Sequence, residues 1–166
     1  MSCKGVSELD KLLIERITTA DQERYAQALE LRDLVLRRPL GMSIKQDRLD
    51  GEDQAIHLCA LYADKMVGVL LLKQVNQDTV QMKQVAVDEA LRGQQVGRRL
   101  VAYAEQVAID EGYQHMMLHA RQVAISFYEK LAYETYGEPF TEVGIPHRMM
   151  RKQLVHIDTQ EGGTNI

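Results

Sequence analysis

Two apolar, β-rich runs at residues 56–63 and 66–75 are separated only by Asp64-Lys65. A gap that short admits nothing but a hairpin turn, so the two runs are expected to pair as antiparallel neighbours. A third run follows at about 80–87, with Asn76-Gln77-Asp78 as the turn before it, and the centre of the chain therefore reads as a three-stranded antiparallel meander. A sheet of that kind must bury its apolar residues against other elements, and the flanking sequence has to supply them.

Upstream, residues 12–17 (LLIERI) read as a first strand. Thr19 with Gln22 three residues later matches a reciprocal helix cap. Tyr25, Ala28, Leu29, Leu31, Leu34 and Val35 keep helical spacing to about Arg38, where Pro39 and Gly41 close the run. Residues 39–54 then form a polar connector. Downstream, a helix is expected over roughly 93–111 with Gly112 as its stop, a strand over 114–120, a short helix over 123–131, the start of a strand at 133–136 and a last strand over 149–155. The order is β-α-β-β-β-α-β-α-β-β, an α/β fold with a mixed sheet covered on both faces. One domain is expected over residues 1–155. The polar, glycine-bearing end of the chain carries no pattern, and residues 156–166 are expected to be a disordered tail.

Composition narrows the function classes. At 166 residues, 45% hydrophobic and 27% charged, the chain has the make-up of an ordinary globular domain. Its net charge of -4 lacks the broad basic face that nucleic-acid binding demands, so no nucleic-acid partner is expected. The two cysteines, Cys3 and Cys59, form neither a C-x-x-C pair nor a disulfide framework. No apolar run is long enough to cross a membrane and the first residues lack a signal-peptide core, so a cytoplasmic protein without a membrane partner is expected. His57, His115 and His156 show no ligand spacing and H-E-x-x-H is absent; no metal is expected.

The chemistry concentrates in VAVDEALRGQQVGRRLV, residues 85–101, where a strand-like run meets a turn and a basic, glycine-bearing helix start. Arg92, Gly93 and Gly97 allow backbone N–H groups to approach an anion, and the helix that follows aims its positive dipole end at the same place. Arg98 and Arg99 add charge. The stretch reads as a phosphate cradle. It resembles the acyl-CoA pyrophosphate loop of the GNAT superfamily of N-acetyltransferases, Q/R-x-x-G-x-G/A, with Arg92 first and Gly97 last; Gln95 stands where the pattern has its middle glycine. The strand order above also matches the GNAT fold.

Two further stretches carry the resemblance. RQVAISFYEKLAY, residues 121–133, is similar to the family's C-terminal motif through Ala124, Phe127, Tyr128 and Tyr133, and GEPFTEVGIPHRMM, residues 137–150, resembles the ElaA-like branch. Read from the residues alone, Gly144-Ile145-Pro146 is a rigid turn into the last strand.

The resemblance implies an acetyl-CoA-dependent N-acetyltransferase acting on a primary amine of a small molecule or peptide. Val85, Ala86 and Val87 would pair with the pantetheine arm, a backbone N–H near Val85 would face the oxyanion, and Arg92, Gly93, Gln94, Gln95, Val96, Gly97 and Arg98 would hold the pyrophosphate. Tyr128 would protonate the departing thiolate, since a phenol of pKa near 10 holds its proton at neutral pH. The strand before the loop offers Gln81, Lys83 and Gln84 instead of the family's usual glutamate. The general base is therefore left among His147, Glu142, His119 and a water chain. Charged residues of the connector, Lys45, Asp47, Arg48, Asp50, Glu52 and Asp53, would line or cover the acceptor side. The alternative is a non-catalytic acyl-CoA sensor or interaction module on the same fold, and a P-loop or Rossmann nucleotide binder fits less well because Asp88 to Leu91 intervene between strand and glycines. Homodimers are common in the superfamily, although no stretch of this sequence marks an interface.

Overall fold

A computed structural model describes residues 11–91 and 95–154. The described residues form seven strands and three α-helices: β1 (Leu12–Ile17), α1 (Gln22–Arg32), β2 (Ile56–Tyr62), β3 (Lys65–Gln74), β4 (Thr79–Val87), α2 (Val96–Asp110), β5 (His115–Arg121), α3 (Ile125–Glu129), β6 (Glu134–Glu142) and β7 (Ile145–Gln153), with short 3-10 and π turns between them. The strands pair in the order β1-β2-β3-β4-β5-β7-β6. The expected α/β order with a mixed sheet is the observed one. No helix among the described residues is long and apolar enough to cross a membrane. The chain groups into two compact units: one drawn from Met1–Leu72 and Gln84–Ala104, the other from Lys73–Lys83 and Glu105–Ile166.

In the first unit the meander begins with a hairpin of register Tyr62↔Lys65, whose two turn residues are Ala63 and Asp64. Both have positive φ, 51° and 69°, as a type I′ turn requires, so the turn lies one residue earlier than Asp64-Lys65. β1 lies antiparallel to β2 from Leu12↔Tyr62 to Ile17↔His57. Ile17, Ala28, Leu31, Cys59, Leu61, Met66, Val69 and Ala86 form a buried cluster, with Val35 and Leu36 packed on it. The expected cap at Thr19 is replaced by Asp21, whose carboxylate accepts the Arg24 N–H at 3.1 Å. The α-helix also stops six residues short of Arg38. A π turn (Asp33–Arg37) and a 3-10 turn (Arg38–Leu40) carry the chain on to Gly41, where the Gly41 and Met42 N–H groups close a Schellman cap on Arg38 and Arg37 carbonyls.

Val96, Leu100, Ala104 and Ala108 recur every fourth residue on α2 and are all buried. Its first turns rest on β3 at Gly68, where a Cβ would meet Leu100, Ala60 and Val96 side-chain carbons at 3.3–3.4 Å. The glycine permits the close approach. At the other end Gly112, at φ 97°, closes the helix as expected.

In the second unit β5 alternates: Met116, Leu118 and Ala120 are buried while the residues between them are more exposed. β4 and β5 run parallel over Thr79–Met82 and His115–Leu118. β7 lies antiparallel between β5 and β6, facing β5 from His115↔Gln153 to Arg121↔His147. The strand expected to begin at 133–136 runs on to Glu142 through a register shift between Tyr136 and Phe140, with Gly137 at φ 74°. The turn into the last strand is Val143-Gly144, and Pro146 lies in the strand opposite Thr141. The strand therefore starts at Ile145, four residues before the position expected.

Candidate active site

In the first unit, Val85, Ala86 and Val87 close β4, Ala86 buried and its neighbours half-buried. The residue before them, Gln84, has φ 57° in a strand, a conformation that side-chain-bearing residues rarely adopt. Asp88 N–H donates to the Val67 carbonyl at 2.8 Å, which pins the chain as it leaves the strand. Arg92, Gly93 and Gln94 lie outside the described residues. Gln95 sits at φ 66°, and its carbonyl accepts the Arg99 N–H at 3.0 Å as α2 begins. A left-handed residue is what a glycine at this place in the motif supplies, and the glutamine adopts the same backbone conformation at a steric cost. Val96 is buried, Gly97 half-buried and Arg98 exposed. The backbone turn, the glycine and the helix N-terminus thus suit an anionic phosphate.

In the second unit the Phe140 ring stands beside two of the four candidate catalytic residues, His119 and His147, and a third, Glu142, pairs with His119. His119 Nδ1 lies 2.8 Å from Glu142 Oε1. A carboxylate can only accept, so Nδ1 carries a proton, and in the neutral imidazole Nε2 keeps the lone pair. The two side chains are 32% and 46% exposed, so the pair is reachable. Phe140 meets the His119 ring edge-on with centroids 5.1 Å apart, and lies 5.7 Å from the His147 ring. The register explains the assembly, because His147 lies opposite both Arg121 and Phe140. His147 is only 4% exposed, and its Nδ1–H donates to the Ile145 carbonyl at 2.9 Å. Glu142 is the last residue of its strand and pairs with a histidine.

Tyr128, on α3, is 6% exposed and packs edge-on against Phe127 and Tyr133 at 4.9 and 5.7 Å. Burial pushes its phenol above the ordinary value, so it holds its proton throughout the neutral range. Tyr133 is held in turn: its hydroxyl donates to Glu105 at 2.8 Å and Lys152 donates to the same carboxylate at 2.9 Å. Burial, then the Glu105 charge and hydrogen bond, raise the Tyr133 phenol as well. No hydrogen bond joins Tyr128 to His119, Glu142 or His147 among the described residues.

The connector charges, expected at the acceptor side, divide. Arg48 and Asp50 pair at 3.4 Å in the open. Asp47 accepts Arg37 Nε and Nη2 at 2.9 Å each. Glu52 accepts Arg32 Nη1 and Nη2 at 2.9 and 2.8 Å and the Tyr25 hydroxyl at 2.7 Å, and its backbone carbonyl lies 2.7 Å from His57 Nε2. Burial alone would raise the Glu52 carboxyl, but the hydrogen bonds and charge of Arg32 and the Tyr25 hydroxyl outweigh it and hold it below the usual range. Sequence reading missed this network. Arg32 and Arg37 share a helical run with Tyr25 and face a connector bearing Asp47 and Glu52, and that charge balance was its one visible sign. Among the described residues no group of three or more His, Cys, Asp or Glu side chains could hold a metal ion.

Residues 17–133 match the family described as Acetyltransferase (GNAT) family. A Bacillus subtilis (strain 168) protein, assigned as an acetyltransferase by name alone, is 30% identical over 140 residues, which are 81% of this chain and 92% of that protein. Among solved structures, Escherichia coli ElaA superposes with a TM-score of 0.75 at 21% identity, over 86% of this chain and 99% of ElaA. An aminoglycoside 6′-N-acetyltransferase solved with coenzyme A superposes with a TM-score of 0.70 at 18% identity, covering 87% and 98% of the two chains. These last two likenesses concern the fold.

Proposed function

The chain belongs to the GNAT acetyltransferase family, and from that premise we propose that it transfers an acetyl group from acetyl-CoA to a primary amine by direct attack on the thioester. The observation that carries this reading is the half-exposed His119–Glu142 pair. It supplies a base in a chain whose β4 has no acidic residue.

Acetyl-CoA brings an activated carbonyl and a thiolate leaving group. The loop at 92–98 would hold its pyrophosphate through backbone N–H groups and the α2 N-terminus, and Val85 to Val87 would pair with the pantetheine arm. An ammonium has no lone pair, so the amine first gives a proton to His119 Nε2, while Glu142 fixes the tautomer and stabilises the imidazolium. The amine nitrogen then bonds to the carbonyl carbon, and the oxyanion takes a hydrogen bond from the backbone N–H at Val85. As the C–S bond breaks, the nitrogen gives up its second proton to solvent, and Tyr128 gives its proton to the sulfur and recovers one from solvent. Burial weakens Tyr128 as an acid, but a thiolate leaving into dry surroundings is a stronger base by the same physics. His147 is tied to backbone and buried, so its role is to support Phe140 and not to carry protons.

Two measurements test the reading. Titration calorimetry with acetyl-CoA and CoA is paired with thiol release over a panel of amines. Binding with amine-dependent release is the expected result; binding without release across the panel would favour the acyl-CoA sensor. Tyr128→Phe should lower turnover roughly 10-fold to 100-fold while acetyl-CoA binding stays unchanged, and wild-type turnover in that variant would remove Tyr128 from the chemistry.

A further inference from the structure

The first unit holds a small, partly open cavity, with about 10 Å3 in which a water-sized centre fits, lined by Arg32, His57 and Gln84 together with apolar side chains that include Ile17, Ala28 and Leu58. That is room for one oxygen atom. The Arg32 side chain is 3% exposed. Its two terminal nitrogens are taken by Glu52 at 2.9 and 2.8 Å, and its Nε is buried with no hydrogen-bond partner among the described residues. Buried donors in folded proteins are satisfied.

The chemistry of the lining defines what satisfies this one. A guanidinium only donates, so the ligand must offer a lone pair. Glu52 already neutralises the Arg32 charge, so an anion would be an uncompensated charge among apolar walls, and the ligand is neutral. His57 Nε2 faces the Glu52 carbonyl at 2.7 Å. A carbonyl can only accept, so Nε2 bears a hydrogen, and in the neutral ring Nδ1 keeps a lone pair. The Gln84 amide can offer either its carbonyl oxygen or its N–H groups, so the His57 lone pair is what calls for a donor. An atom that accepts from Arg32 and gives to His57 or Gln84 must carry its own hydrogen. A ketone or carboxylate oxygen does not.

We propose that this cavity binds a single hydroxyl-type oxygen, which takes the Arg32 Nε–H and donates to His57 or Gln84. Water and the hydroxyl of an amino alcohol share that chemistry. The site is argued from the first unit alone and does not depend on the acetyltransferase reading. Its effect is on Gln84, the left-handed residue directly before Val85: an oxygen bridging its side chain to Arg32 and His57 fixes the strand where that conformation interrupts it.

The test uses 15N-labelled full-length protein and reads magnetisation transfer from water to the Arg32 Nε–H, beside crystal structures of the protein alone and soaked with ethanolamine or, as the control without a hydroxyl, ethylamine. A water cross-peak and one oxygen within hydrogen-bond distance of Nε in the protein alone identify water as the ligand. An oxygen that appears with ethanolamine and not with ethylamine identifies a ligand hydroxyl. Neither cross-peak nor oxygen in any of the three states overturns the proposal. Removing Arg32 would also break its ion pair, so the supporting variant is Gln84→Met. Loss of the cross-peak intensity is expected there, and an unchanged cross-peak overturns the place of Gln84 in the site.

Discussion

Arg32 with Glu52 in the first unit and His119 with Glu142 in the second are the same kind of pair, a nitrogen donor against a glutamate at 2.8 Å. They differ in what else the partners do. Glu52 is 12% exposed and accepts from Tyr25 as well as Arg32. Its capacity is spent on holding the connector to the helix. Glu142 accepts one hydrogen bond from a histidine whose other nitrogen keeps a lone pair, and both groups remain partly open to solvent. A buried, fully bonded ion pair fixes structure, because either partner left alone would be a charge without solvent. A half-exposed pair with a spare lone pair can exchange a proton with something that arrives.

The largest effect that would break this contrast is on stability. Glu52→Ala strands the Arg32 guanidinium and should cost about 3–5 kcal/mol, read by denaturant unfolding; a loss no greater than that of a surface substitution would mean that the network is not holding the fold. Next comes His119→Ala. Turnover should fall roughly 10²–10⁴-fold with the unfolding midpoint near wild type, and a variant that unfolds instead would make the second pair structural like the first.

Acid separates the pairs more finely. Glu52 has a depressed folded pKa, so its contribution is complete above its unfolded value, about 4.3, and is lost as pH falls through the folded value below that. Thermal melts of wild type should lose stability in that acid window, and Glu52→Gln should flatten the decline. An identical slope in both proteins would remove Glu52 as its source. The smallest effect concerns a buried group with no chemistry to perform. Cys59 is fully buried and burial pushes its thiol up to about 11, so in a Cys3→Ser background a disulfide reagent should modify it only as fast as the protein opens. Labelling faster than opening would show the site to be accessible in the folded state.

The hairpin, the order of elements along the chain and the glycine stop of α2 were legible because each is written in neighbouring residues. The turn at Ala63-Asp64 was misplaced by one residue because Asp64 suits a turn from either position, and only the Tyr62↔Lys65 pairing decides. β6 was cut short because Gly137 and Pro139 normally end a strand; the chain instead absorbs them in a register shift. The insertion of β7 between β5 and β6 lies beyond local pattern. It is also what brings His119 and Glu142 together across 23 residues. The candidates were therefore visible one by one, and their partnership was not. The Arg32–Glu52 network was hidden for the opposite reason: charged residues in a connector ordinarily face solvent, and a balance of charge between helix and connector does not say which of them turn inward.

Gly68 gives the α2 start a fixed height. With side-chain carbons of Leu100, Ala60 and Val96 3.3–3.4 Å from where its Cβ would stand, an alanine there would act as a shim, lifting the first turn of the helix by a few tenths of an ångström. The missing methyl is thus a machining tolerance. It sets how far the row of N–H groups at the helix mouth stands off the strand below, and a ligand that measures itself against those groups is gauged by an atom that is not there.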